Sequence, residues 1–157
     1  MTADQIIRRY GMARHPEGGW YQEVHRSPVA VPYPAVPGGT RPALTAIHFL
    51  LSRGDFSAFH RLRSEEAWIH LAGEPLEMFL LGSAPVRRLL ASAGGDGEPI
   101  VVVPPGVAQA ARTTGDFTLA ACLVAPGFEF GDFSLPSRDR LIAEFPEEAE
   151  RIRALTR

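Results

Sequence analysis

GDFSAFHRLRSEEAWIHLAG, residues 54–73, is the stretch on which the fold turns. From Glu66 to His70 the alternate positions are Glu, Trp and His, with Ala67 and Ile69 between them. Side chains alternate across a strand, so Glu66, Trp68 and His70 share one face. A face holding a carboxylate, an indole and an imidazole is a pocket wall rather than a core layer or an ordinary solvent face.

Working outward, apolar content and β-branched residues make a strand of residues 43–51. Further strands are expected at 20–26, 58–61, 66–72, 76–81, 86–90, 100–103, 109–113 and 118–124. Gly54, Gly73, Gly82, the glycines of 94–97, Pro104-Pro105-Gly106 and Gly115 break the chain between them. Many short strands with regular turns imply a sandwich or barrel. Thr2 and Gln5 form a capping-box pattern ahead of Ile6, Ile7 and Tyr10, which predicts a helix ending at Gly11. Residues 137–157 return to helix, with Pro146 opening a second short one. Residues 28–42 hold five prolines and two glycines and read as a loop or flap, not a domain boundary. There is no internal repeat, and residues 1–157 read as a single domain.

The composition narrows the class. With 45% hydrophobic and 22% charged residues the chain is an ordinary globular one. A net charge of -2 carries no electrostatic footprint for nucleic acid. The single cysteine, Cys122, cannot make an internal disulfide, which points to the reducing cytoplasm; its apolar neighbours make it a packing residue. No apolar run reaches the ~20 residues of a membrane span, and the polar MTADQ opening is not a signal peptide.

Gly54-x5-His60-x-Leu62-x3-Glu66-x6-Gly73 resembles the first sequence motif of the cupin superfamily, and Pro104-Pro105-Gly106-x2-Gln109 sits where the second would fall. Together with HPEGGWYQEVHRS, TAIHFLL and CLVAPGFEFGDFSL, the chain over about residues 5–155 resembles the Cupin-5 branch of the RmlC-like cupins, a group of largely unassigned function. The resemblance implies an all-β double-stranded β-helix, a jelly-roll barrel with short terminal helices and its site in the barrel mouth. Metal-binding cupins bring three imidazoles and a carboxylate to that site. Here Leu62 and Gln109 stand where two histidines would, leaving His60 and Glu66 as strong donors. No cofactor is therefore expected, and a divalent metal, if bound, would take His60, Glu66 and Gln109.

Without a metal, side chains must supply the chemistry. Glu66 beside His60 would raise the imidazole pKa and fix its tautomer, as a general base requires. His60 is thus the expected base and Glu66 its orienting partner; Glu65 competes for that role, and motif spacing selects Glu66. Trp68, His70 and Gln109 are the expected ligand-binding wall, and Arg26 the candidate clamp for an anionic ligand. His15 before Pro16 reads as structural, and the face of His48 stays open. Tyr21 and Tyr33 are candidates for a partner acid that no motif places.

The resemblance to sugar epimerases implies an isomerase or epimerase acting on a sugar-like or polar metabolite. The alternatives are a non-catalytic ligand-binding module and a metal-dependent cupin enzyme with an incomplete ligand set. A small molecule is the expected partner, with no nucleic acid and no membrane. A homodimer is expected, with residues 17–21 crossing to the second subunit.

Overall fold

In a computed structural model covering residues 1–157, the capping box forms as written. The Gln5 amide donates to the Thr2 hydroxyl, the Thr2 amide donates to the Gln5 side chain, and Ala3–Tyr10 (α1) follows, closed by Gly11 in the left-handed region. The strands in chain order are β1 Ala13–Arg14, β2 Trp20–Arg26, β3 Ala30–Pro32, β4 Thr40–Pro42, β5 Thr45–Ser52, β6 Phe56–Leu62, β7 Glu65–Gly73, β8 Leu76–Leu81, β9 Pro85–Leu90, β10 Ile100–Val103, β11 Ala108–Thr113, β12 Phe117–Ala125 and β13 Phe133–Ser134. The helices Arg138–Glu144 (α2) and Ala149–Ala154 (α3) close the chain, with Pro146 opening the short 3-10 turn between them.

Two antiparallel sheets make the jelly-roll barrel. One runs β1-β2-β5-β12-β7-β10 and the other β13-β6-β11-β8-β9. Alternation does the sorting: Phe49 and Leu51 of β5 and Trp68 of β7 turn into the space between the sheets with Leu76, Met78 and Val101. Each such buried side chain stabilises the fold by roughly 1.5–3 kcal/mol. Leu50, on the other face of β5, is covered by Ile6 of α1. Leu141, Ile152 and Leu155 of the closing helices cover Phe59 and Phe79 of the second sheet.

One expectation is corrected. Residues 28–42 are not a plain loop, because β3 and β4 pair as a two-stranded ribbon in which Ala30 faces Pro42 and Pro32 faces Thr40. Such a ribbon is all edge, where a proline's missing N–H costs no shared ladder bond. Within its own chain, the segment after Gly19 pairs as β2 with β5 and β1. No helix is long and apolar enough to cross a membrane.

The outer face of the first sheet is only half covered. Register aligns Ile100 with Ile69 and Ala121, and Val102 with Ala67 and Leu123. Nothing packs over Ile100 and Val102, which are 52% and 51% exposed.

Candidate functional site

Register on the second sheet places Gln109 of β11 directly beside His60 of β6. The His60 ring is buried, and its Nδ1 lies 2.8 Å from the Ala58 carbonyl oxygen. A carbonyl only accepts, so Nδ1 carries the proton and Nε2 presents a lone pair. That lone pair faces Oε2 of Glu17 at 3.3 Å and Oε2 of Glu66 at 4.0 Å. Burial lowers the His60 pKa, and neither the Glu66 charge nor the Ala58 hydrogen bond reverses this. The expected raised imidazole pKa is thus corrected: desolvation outweighs the carboxylate.

Glu17 is the residue that sequence reasoning missed. It stands just ahead of Gly18 (φ 110°) and Gly19 (φ 75°), whose left-handed backbone lets the chain press against the barrel. Its Oε1 accepts from the Ser57 hydroxyl at 2.7 Å. Its Oε2 lies between His60 Nε2 and His15 Nδ1, the second at 3.4 Å. The Glu17 amide points at that same His15 Nδ1, making it an acceptor as well. Between two acceptors, Oε2 is suited to an O–H and ill suited to a negative charge. Burial accordingly pushes Glu17 up to about 8, against the pull of the Ser57 hydrogen bond and the Arg157 charge. His15 is held down to about 4 by burial and by His60, so it is neutral.

Glu66 is held differently. The Gln109 amide Nε2 donates to Glu66 Oε2 at 2.6 Å, and Trp68 Nε1 donates to Gln109 Oε1 at 3.0 Å. Indole N–H can only donate, so the atom it meets is the amide oxygen and the amide NH2 faces Glu66. Burial raises Glu66 to about 7; His60 opposes the rise, Glu17 adds to it, and Gln109 stabilises the anion. Two buried carboxyls therefore sit on either side of one neutral imidazole, one kept as the acid and one able to ionise near neutrality.

Glu17 and Glu66 both line a cavity of about 150 Å³ between the sheets. Tyr21, Phe49, Trp68, Phe128, Phe130 and Phe133 supply its aromatic walls, and Cys122 lines it as a buried thiol pushed up by desolvation. Glu23, Arg26 and Glu129 form a charged rim. Of the expected residues, Glu66, Trp68 and Arg26 reach this cavity. His60 and Gln109 lie behind the carboxyls, where they bridge and hold them.

His70 does not reach the cavity, and its expected place in the ligand wall is corrected. Its Nε2 is turned to the Glu74 carbonyl at 3.3 Å, next to a register shift between β7 and β12. Nor is Arg26 free to clamp an anion: all its nitrogens are engaged by Glu23, Glu129 and the Phe128 carbonyl. Tyr21 lines the cavity, whereas Tyr33 is buried under Arg41, away from it. His48 faces outward to Gln22 and Tyr10. A signal for part of the missed wall was present in GFEFGDF, residues 127–133, where three phenylalanines crowd a turn.

The donors do not fit a tightly held divalent metal. Gln109 turns its amide nitrogen to the site and spends its oxygen on Trp68, and Leu62 offers only hydrocarbon. No group of three His, Cys, Asp or Glu side chains is arranged to hold a metal ion.

The family profile described as "Cupin superfamily (DUF985)" matches residues 4–136. No protein of curated function matches the chain. Among solved structures, a hypothetical protein from Leishmania major is 29% identical with a TM-score of 0.91, covering 99% of each chain. A protein from Shewanella oneidensis is 32% identical with a TM-score of 0.90, covering 100% of this chain and 98% of the other. Oxalate decarboxylase from Bacillus subtilis, 15% identical with a TM-score of 0.56 over 90% of this chain and 36% of its own, shares the fold.

Proposed function

Because the chain belongs to the cupin superfamily, in its DUF985 branch, we propose that its cavity is the active site of an isomerase or epimerase that moves a proton on a compact carbonyl compound. The observation that carries this reading is the pair of buried carboxyls lining one cavity around His60, Glu17 set between two imidazole nitrogens and Glu66 accepting from the Gln109 amide.

Glu66, as carboxylate, takes the proton from the carbon next to the carbonyl. The C–H electron pair moves into a new C=C bond, and Glu17 gives its Oε2 proton to the carbonyl oxygen, leaving a neutral enol. Return of a proton to the same carbon from the other face, or to the neighbouring carbon, yields the epimer or the isomer. His60 takes up and passes protons between the carboxyls through Nε2, while Gln109 and Trp68 fix the orientation of the base. Glu66 rather than the expected His60 is thereby the base, because Glu66 lines the cavity and His60 does not. A cavity of about 150 Å³ holds a reacting portion of about benzene size. The sugar-like class therefore narrows to a single small skeleton.

Incubation with a panel of small α-hydroxy and α-amino carbonyl compounds in D2O is expected to show, by NMR, enzyme-dependent loss of one C–H signal. A ligand that raises the melting temperature without exchange, or no exchange across the panel, would remove the enzymatic reading.

We also propose a homodimer formed by the outer face of the first sheet. Ile100, Val102, Ile69 and Leu123 form an uncharged surface beside an edge strand, which a second copy would cover symmetrically. Light scattering is expected to give twice the chain mass for the native protein. Val102→Glu is expected to halve it without unfolding the barrel.

A further inference from the structure

The chemistry of the cavity wall restricts the charge of its ligand, a point that rests on the reading of this cavity as the substrate site. At the rim, Arg26 is shared between two carboxylates, Glu23 and Glu129, so one negative charge is left over. Arg26 donates through Nε to Glu23, through Nη1 to Glu129, and through Nη2 to Glu23 and the Phe128 carbonyl. A ligand anion would meet no free guanidinium. No lysine or second arginine lines the cavity, and the one histidine that does, His15, is buried among aromatic rings. Inside, Glu66 faces the same space, and its imidazole neighbour lies 4.0 Å away. Every charge in excess at this cavity is negative.

The rest of the wall is aromatic. Phe128 and Phe130 meet edge to face with centroids 4.9 Å apart, and Phe133 lies 6.1 Å and 6.3 Å from them. Tyr21, Phe49 and Trp68 complete the lining. Ring faces carry negative potential and attract cations, the more so where water is excluded. Surplus carboxylate at the rim, carboxyls at the floor and π-systems between them attract one ligand charge and repel the other.

We infer that the cavity selects a compact organic cation, a primary or methylated ammonium carried on a skeleton of about ring size. The ammonium occupies the aromatic part beneath Glu23 and Glu129, and the remainder of the molecule reaches Glu17 and Glu66. In the proposed reaction this makes the substrate an amino-bearing carbonyl compound. The positive charge also makes the C–H bonds near it more acidic.

Three molecules of the same shape separate charge from size: choline, 3,3-dimethylbutan-1-ol and 3,3-dimethylbutanoate. Calorimetric titration of the full chain is expected to show choline binding at least about tenfold more tightly than the alcohol. No binding of the carboxylate is expected. Phe130→Leu, at a position that is 53% exposed and tolerant of change, is expected to weaken choline about fivefold and leave the alcohol unaffected. Equal binding of choline and the alcohol would show a merely apolar cavity; tighter binding of the carboxylate, or no binding of any of the three, would also overturn the inference. Choline has no C–H beside a carbonyl, so this result is independent of proton exchange. Choline binding without exchange on any carbonyl compound would sink the enzymatic reading alone. Exchange on neutral compounds without choline binding would sink the cation alone.

Discussion

Glu17→Gln is expected to make the protein harder to unfold at alkaline pH while removing its proton-transfer activity. The folded pKa of about 8 lies above the ordinary 4.5. The neutral acid's contribution is therefore complete below about pH 4.5 and is lost as pH rises through 8. His15 and His60 act in the opposite sense, because burial lowers both: the fold gains stability as pH climbs toward 6.5. Above about pH 6.5 both imidazoles are neutral whether folded or not and no longer offset the decline due to Glu17 and Glu66, to which the buried Cys122 thiol adds near pH 9. At about 1.4 kcal/mol per pH unit, Glu17 accounts for roughly 2 kcal/mol between pH 6.5 and 8.

Glutamine keeps an oxygen for the Ser57 hydroxyl and cannot ionise. Urea unfolding should find variant and native protein within about 1 kcal/mol near pH 5. The variant should be more stable by roughly 2–4 kcal/mol near pH 9. Exchange of substrate protons should fall by about 10²–10⁴ near pH 7, the usual range for loss of a general acid, and by less near pH 9, where the native acid is already largely ionised. A variant that loses stability toward pH 9 as steeply as the native protein would show that Glu17 is not the buried neutral acid.

Gly18→Ala is expected to be the most damaging single-atom change outside the core. A Cβ there would lie 2.1 Å from the Phe56 carbonyl oxygen and 2.6 Å from the Arg157 guanidinium, on a backbone with φ at 110°. The guanidinium can move aside, but the carbonyl is part of the β6 backbone and cannot shift without the strand. A loss of roughly 3 kcal/mol follows, or a drop in melting temperature of about 6–12 °C for a chain of this size. Gly38→Ala is the matched control: φ is again positive, at 69°, but the added carbon meets nothing within 4 Å. Its cost should be about 1 kcal/mol. Equal melting temperatures for the two variants would show that residues 17–19 are not seated against the barrel as described.

The barrel was legible because short alternating runs bounded by glycine and proline leave few other readings. The expected strands 20–26, 76–81 and 100–103 match β2, β8 and β10 residue for residue. The site was legible only where the motif marks it. Glu66 faces inward because alternation sends it there, and Gln109 lies where the second motif puts it. The direction of the Gln109 amide was not legible, since Trp68, far away in sequence, decides which end faces Glu66. His70 obeyed the same alternation, yet a register irregularity beside it and a nearby carbonyl give its ring a different partner. Glu17 had no motif at all. A glutamate before two glycines reads as a surface turn until the fold sets it against Ser57 and His60.

The two carboxyls rest on different foundations. Glu66 is anchored in the hydrogen-bonded wall, with strand partners on both sides. Glu17 is held from outside the wall: the Ala58 amide and the Arg157 guanidinium both donate to its carbonyl, and Arg157 also grips Asp55 and lies over Phe56. That clasp joins the segments flanking the barrel, which open more readily than the strands they cover. When it opens, the proton donor departs while the receiver stays in place. The working temperature of the site is then set by the clasp, below the melting temperature of the barrel.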